Sequence, residues 1–315
     1  MNILLTGATG FVGKALDSQL KKNNFQVKYL SGQSILKSLK SVNLKNFIKE
    51  NINWSEYLSN TACVIHCAAR SHIMKETETD PLAVYRSANV EATYNIAKQA
   101  ARHGVKRFIF LSSVKVNGER TIGSSSFKYS DICKPKDAYA ISKLEAEEVL
   151  LELSKQTGME IVIIRAPLVY GEEVKGNFKR LLNLVYKKIP MPFAKVSNLR
   201  SFIGIENLTN LIICCIDHSK AAGKIFLASD GEDISTPDLI KKLSKLMGQP
   251  SRLFAFPLLI IKLISYLAGK SLEVKRLLDS LRVDSSNTQE VLGWSPPLSL
   301  DEGLKKTVIW YLRNR

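Results

Sequence analysis

The sequence predicts an α/β fold in which a doubly wound parallel sheet carries a smaller, mostly helical C-terminal lobe. Three observations carry this prediction. A strand, a glycine turn and a helix open the chain. Apolar strand runs then alternate with helical stretches up to about residue 166. Beyond Pro167 the alternation is lost and helical stretches dominate.

Ile3, Leu4 and Leu5 form a short apolar run, read as a buried strand. Gly7, Gly10 and Gly13 follow as G-x-x-G-x-x-G, and apolar residues recur at helical intervals from Phe11 to Leu20. Gly7 lets the chain turn sharply, Gly10 lets backbone amides approach a pyrophosphate, and Gly13 lets the helix pack closely on the strand. An anion then sits on the positive helix N-terminus. Phe25 to Leu30 alternates as a second strand. Folds that bind NAD usually place an acid at the end of this strand, for the ribose 2′-hydroxyl. Here Leu30-Ser31-Gly32-Gln33 stands there, which leaves NAD or NADP open with a slight tilt to NADP. No arginine is adjacent, so Lys28 and Lys37 are the candidates for a 2′-phosphate.

Trp54 and Leu58 mark a short helix. Ala62 to Ala69 is a continuous apolar strand, as expected for one covered on both faces, and His66 within it reads as a satisfied core residue. Asp80-Pro81 opens a long helix that runs through Val90 and Ile96 and ends near Gly104. Lys106 to Leu111 is the next strand, with Ser112 and Ser113 at its C-terminal end, where open α/β sheets bind ligands. A helix begins near Asp137, and Ile161 to Arg165 is a further strand. The expected division is a dinucleotide-binding domain over residues 1–166 and a substrate lobe over 167–315, with the chain free to cross back. In the second part, helices are expected near 178–188, 206–217, 236–247, 257–268, 271–281 and 301–312, and a strand at 224–228.

Lysine and arginine number 45 against 29 acids in 315 residues, a net charge of +16. The lysines are scattered and no nucleic-acid motif is present, so the expected partners are small phosphorylated molecules rather than nucleic acid. Cys63, Cys67, Cys133, Cys214 and Cys215 form no C-x-x-C pair and no ligand cluster with histidine. Reduced thiols, no metal site and a cytoplasmic location are expected. The first strand begins at once, so no signal peptide is expected. No apolar run reaches the roughly 20 residues that span a bilayer. The stretch 253–269 is the most apolar, with Lys262 its only charge and basic residues on both flanks. It reads as a helix packed in the second lobe or as one resting weakly on an acidic inner-membrane face.

Tyr139 and Lys143 are four apart, so on a helix they share a face. An ammonium beside a phenol favours the phenolate, which makes Tyr139 a usable acid and base near neutral pH. Ser113, at the end of a neighbouring strand, can bond the same substrate hydroxyl.

With these residues in place, the chain resembles the extended short-chain dehydrogenases/reductases, in the NAD-dependent epimerase/dehydratase family. The matching stretches are Thr6–Gly13, Val64–Arg70, Phe108–Ser113, Tyr139–Lys143, Arg165–Gly171 and Arg200–Ile203. The resemblance implies a Rossmann-like fold and catalytic roles for Ser113, Tyr139 and Lys143, with Lys143 also on the nicotinamide ribose. It implies that Gly7, Gly10, Phe11, Val12, Ala68 and Pro167 line the cofactor, with Gly13 in the same turn. It implies that Asn177, Phe178, Pro192, Phe193 and Arg200 hold a nucleotide-sugar diphosphate and base, with Ser113 and Lys115 facing the sugar. The expected substrate is UDP-linked and the expected assembly a homodimer. The resemblance is strongest to UDP-sugar 4-epimerases of surface-polysaccharide (O-antigen) pathways. UDP-4-keto-6-deoxyhexosamine reductases come second, favoured by Lys115, Asn117 and the missing acid. Dehydrogenases of the 3β-hydroxysteroid type come third. A non-catalytic NAD(P)-binding regulator is the reading from another class, and the retained Tyr139 and Lys143 speak against it.

Overall fold

In the computed structural model, residues 1–30, 54–71, 80–267, 269 and 271–315 are described. β1 (Asn2–Thr6) runs into α1 (Phe11–Lys22), then β2 (Gln26–Leu30), α2 (Trp54–Leu58) and β3 (Cys63–His66). α3 (Pro81–Arg86), a π-helical turn at Ser87–Glu91 and α4 (Ala92–Arg102) form one helical run that leads to β4 (Arg107–Ser113). Asp80 starts this run by accepting a hydrogen bond from the Ala83 amide at 3.0 Å, with Pro81 in the first turn. α5 (Ala138–Thr157), β5 (Glu160–Ala166), β6 (Leu168–Tyr170), α6 (Gly176–Tyr186), β7 (Arg200–Gly204) and α7 (Ile205–Cys214) come next. β8 (Ile225–Leu227), β9 (Asp233–Ile234), α8 (Thr236–Leu246), α9 (Leu258–Leu267), α10 (Ser271–Leu278), α11 (Ser286–Leu292) and α12 (Leu300–Arg313) complete the order.

The large sheet runs β2-β1-β3-β4-β5-β8, with every neighbour parallel. Its strands alternate between the two faces of a first core, as period-two side chains must. Ile3, Leu5, Ile65 and Ile109 face α1 and α7, where Leu16, Leu20, Leu208 and Leu211 cover them. Leu4, Val64, Phe108 and Phe110 face the other way, under Ile96, Ala97 and Leu150 of α4 and α5. Covering on both faces explains why the strands read as unbroken apolar runs. β2 and β3 flank β1, so the winding reverses there and opens a crevice at the carboxyl ends of β1 and β3.

The second part departs from expectation in two respects. Its helices form, but a small mixed sheet, β6-β7-β9, runs through it. These strands have three, five and two residues, too short for periodicity to register. α11 also lay below the sequence signal. The expected strand near 224–228 joins the large sheet as β8, and α7 packs on α1, so residues 205–228 return to the first core. A second core of Tyr170, Phe178, Leu182, Phe202, Leu239, Leu243 and Leu304 binds α6, α8, α12 and the small sheet together.

Candidate active site

The glycine turn has the shape of a dinucleotide cradle. Gly7 has φ of +75°, and a Cβ there would lie 2.6 Å from the Ala68 amide nitrogen. A Cβ at Gly13 would lie 2.0 Å from the Gly7 carbonyl oxygen. Any side chain at either position would therefore push α1 off β1 or close the crevice against Ala68. The Gly10 amide donates to the Gly7 carbonyl at 2.9 Å, which closes the turn. α1 then starts at Gly10 with no side-chain cap and no acid in its first turn. Its first amides lack a side-chain partner, as a pyrophosphate-binding helix requires. Val12 packs on the first core and Phe11 on the second, so this turn lies where the two cores meet. Pro167 is buried directly after β5. These residues fit a nicotinamide dinucleotide.

His66 is the satisfied core residue expected. Its Nδ1 lies 2.7 Å from Thr6 Oγ1 and its Nε2 3.0 Å from Thr93 Oγ1. Burial first, and Lys143 second, push its pKa down to about 3, so the ring is neutral. Lys28 donates to the Ser59 carbonyl at 2.8 Å, just past the end of α2. Ser31 to Gln33 and Lys37 lie outside the described residues.

Ser113 ends β4 and Tyr139 opens α5, two elements that the sheet and the Asp137 cap bring together. Asp137 accepts from the Ala140 amide at 2.7 Å through one carboxylate oxygen and from Lys115 through the other. Tyr139 is half-buried, hydrogen-bonds Ser113 and meets the Tyr85 ring edge-to-face at 6.2 Å. Burial raises its pKa, the Asp137 carboxylate adds to the rise, and the Ser113 hydroxyl opposes it. This corrects the expectation that Lys143 lowers the Tyr139 pKa. Lys143 is instead buried with its Nζ 3.8 Å from the centre of the Phe110 ring. Burial lowers its own pKa to about 7, against the raising influence of Glu147 and Cys67. A cation that is itself half discharged gives the phenolate little support. An oxidised nicotinamide bound beside the phenol would add positive charge there and favour the phenolate.

Sequence reasoning missed what lies beneath this pair. Glu147 follows Lys143 by four residues on the same inward face, which was the available signal. It pairs with Arg165 of β5 at 2.6 Å and accepts from Ser112 of β4 at 2.5 Å, with both charges almost fully buried. Arg165 also donates to Asn117 at 3.1 Å, and Asn117 donates to the Lys128 carbonyl at 2.9 Å. Asn117 thus belongs to a buried network. Asn89, in the π-helical turn, donates to Ser142 at 3.0 Å and accepts from the Arg70 amide at 2.7 Å, so it ties that turn to α5.

The expected substrate residues divide. Arg200 opens β7 and donates to the Arg276 and Asp279 carbonyls at 2.8 and 3.0 Å. Burial, with the nearby Arg276 adding to it and Asp279 opposing, lowers its pKa to about 10. Two guanidinium groups so placed suit a dianionic ligand, and the sequence alone did not show Arg276. Asn177 is exposed and Pro192 half-buried. Phe178 and Phe193 are both buried in the second core. Phe178 stacks on Tyr170 at 5.6 Å and meets Phe202 edge-to-face. Lys115 spends its charge on Asp137.

A model of the NAD-dependent epimerase/dehydratase family matches residues 3–228. The chain belongs to this family. It is 45% identical over 314 residues to a UDP-glucose 4-epimerase of Vibrio cholerae, covering 99% of this chain and 96% of that protein. It is 25% identical, over 98% of its own length and 94% of the relative's, to an N-acetyl-alpha-D-glucosaminyl-diphospho-ditrans,octacis-undecaprenol 4-epimerase of Escherichia coli O157:H7. Among solved structures, a Thermotoga maritima UDP-glucose 4-epimerase with UDP-glucose aligns with a TM-score of 0.78 at 20% identity, over 99% of both chains. A Bacillus cereus UDP-glucuronic acid 4-epimerase with UDP-glucuronic acid and NAD aligns at 0.77 and 21% identity over all of both chains. The two solved structures share this chain's fold, and the family is NAD-dependent, so NAD(P) is its cofactor.

Proposed function

We propose that the chain is an NAD(P)-dependent 4-epimerase of a UDP-linked hexose or N-acetylhexosamine. The observation that carries this reading is the 45% identity to the Vibrio cholerae epimerase over almost the whole of both chains. When bound, the nicotinamide supplies a reversible hydride acceptor at the sugar's C4. Gly7, Gly10, Phe11, Val12, Gly13, Ala68 and Pro167 hold the dinucleotide, with its pyrophosphate on the α1 amides. Tyr139 takes the proton of the sugar 4-hydroxyl and later returns it, and Ser113 holds the same oxygen. Lys143, which lies over Phe110, would hold the nicotinamide ribose. Arg200, with Arg276, holds the sugar-nucleotide diphosphate, and Asn177 and Pro192 border it. Residues 167–315, apart from the return at 205–228, act as the substrate lobe. The proposal includes a cytoplasmic location, a homodimer and contact of 253–269 with a membrane surface. A surface-polysaccharide role rests on the Escherichia coli relative, whose name describes an undecaprenol-linked substrate.

The test is to incubate the purified protein with UDP-glucose and, separately, UDP-N-acetylglucosamine and to follow the anomeric region by proton NMR. Appearance of the 4-epimer without added cofactor is expected. Failure with both sugars overturns the reading. One feature favours the reductase instead: no carboxylate stands at positions 30–33 to hold a 2′-hydroxyl. Protein purified without retained nucleotide, which consumes NADPH with a 4-keto sugar, would establish that alternative.

A further inference from the structure

α9 is turned inside out. Leu259, Leu263, Tyr266 and Leu267 are 80%, 59%, 74% and 77% exposed, whereas the buried positions are Ile261 and Ser265. At 3.6 residues per turn, these four with Ile260 and Ile264 fill a single outward arc of about 160°. Lys262 lies at its margin. A helix packed into a globular lobe shows the reverse pattern. The approach to α9 adds an edge-to-face pair, Phe254 and Phe256 at 6.2 Å, with Phe254 43% exposed.

The charge around this face says what covers it. From Arg252 to Leu278 the sequence holds Arg252, Lys262, Lys270, Lys275 and Arg276 against one acid, Glu273. Arg252, Lys262 and Arg276 are exposed, and Lys275, also exposed, pairs with Glu119 at 3.6 Å. A second copy docked on α9 would set one basic rim against another. An acidic bilayer meets the apolar face with acyl chains and the rim with phosphates. The helix has ten residues, about 15 Å, half the thickness of a bilayer core. Among the described residues, no helix is long and apolar enough to cross a membrane.

We propose that α9 lies in the plane of an anionic lipid surface, with Leu259, Leu263 and Leu267 towards the acyl chains and Lys262 and Arg252 at the headgroups. This gives the surface contact proposed above an orientation and a lipid class. It rests on α9 and its flanks, not on the identity of the sugar. Three residues separate α9 from α10, which carries Arg276, so docking sets the proposed diphosphate site beside the membrane.

The test is co-sedimentation of the full chain with phosphatidylglycerol-containing vesicles and with pure phosphatidylcholine vesicles, beside a Leu259→Glu/Leu263→Glu variant. Both replaced side chains are exposed, so the variant keeps its circular dichroism spectrum and melting temperature. The unaltered protein should pellet with the anionic vesicles, and the variant's partition coefficient should fall by at least about tenfold. UDP-sugar turnover in vesicle-free buffer should be the same for both, which separates this inference from the proposed activity. The inference is overturned if the unaltered protein stays in the supernatant. Equal pelleting of the variant overturns it too, because scattered lysines then do the binding. Equal pelleting with phosphatidylcholine overturns the lipid class. A dimer that the double substitution alone dissociates, seen by sedimentation equilibrium, reassigns the face to a second copy.

Discussion

α5 and α9 both break the simple rule for a surface helix, in opposite directions. α5 turns Ser142, Lys143 and Glu147 inward, and all three are buried. α9 turns leucines and isoleucines outward. The difference lies in where the partners are. Glu147 has Arg165 and Ser112, and Ser142 has Asn89. Lys143 has an aromatic ring and a lowered pKa in place of an ion pair. For α9 the exposed apolar face has no covering element among the described residues. A buried polar group is stable when the fold supplies its partner, and an exposed apolar face gains stability only from something outside the fold.

The comparison breaks most visibly at Glu147. Glu147→Ala leaves the Arg165 guanidinium buried without its counter-ion, and about 3–5 kcal/mol of stability should be lost in urea denaturation. A loss below about 1 kcal/mol would mean that water reaches Arg165 and that the network is not what anchors α5. Next comes Tyr139→Phe, which keeps the ring against Tyr85 and removes the proton-transfer group. Turnover of the true sugar nucleotide should fall by roughly 100-fold or more while stability stays within about 1 kcal/mol. Turnover at the parent level would remove Tyr139 from the chemistry.

Lys143 sharpens the comparison through pH. Its pKa drops from the ordinary 10.5 to about 7 on folding, chiefly through burial. Between those values the unfolded chain binds the extra proton, so the cofactor-free protein gains stability as pH rises through that window. Lys143→Met removes this slope. The variant should be more stable than the parent near pH 7, by on the order of 1–3 kcal/mol, and the gap should close towards pH 10. Parallel stability curves for the two proteins would show that Lys143 is solvated when the site is empty. The smallest effect belongs to α9: Leu263→Gln should change stability in plain buffer by no more than about 0.5 kcal/mol. A large loss there would mean that the face is covered within the fold.

The parallel sheet and the run of its strands up to β5 were legible because strands covered on both faces leave long apolar runs and the glycine turn leaves a fixed spacing. Ser113, Tyr139 and Lys143 were legible because helix geometry and strand ends follow directly from position in the chain. The charge states were not. Whether Lys143 lowers the Tyr139 pKa depends on where its Nζ lies and how dry the site is, and burial there discharges the lysine instead. Glu147 with Arg165 and Arg200 with Arg276 meet across elements 18 and 76 residues apart, where no local pattern reaches. Phe178 and Phe193 belong to the core because a small sheet too short to show periodicity supplies the surface they pack on. The composition of α9 was plain from the start. Only its packing decided that Ser265 faces the protein and Leu259 the solvent, since a helix apolar nearly all round names no face of its own.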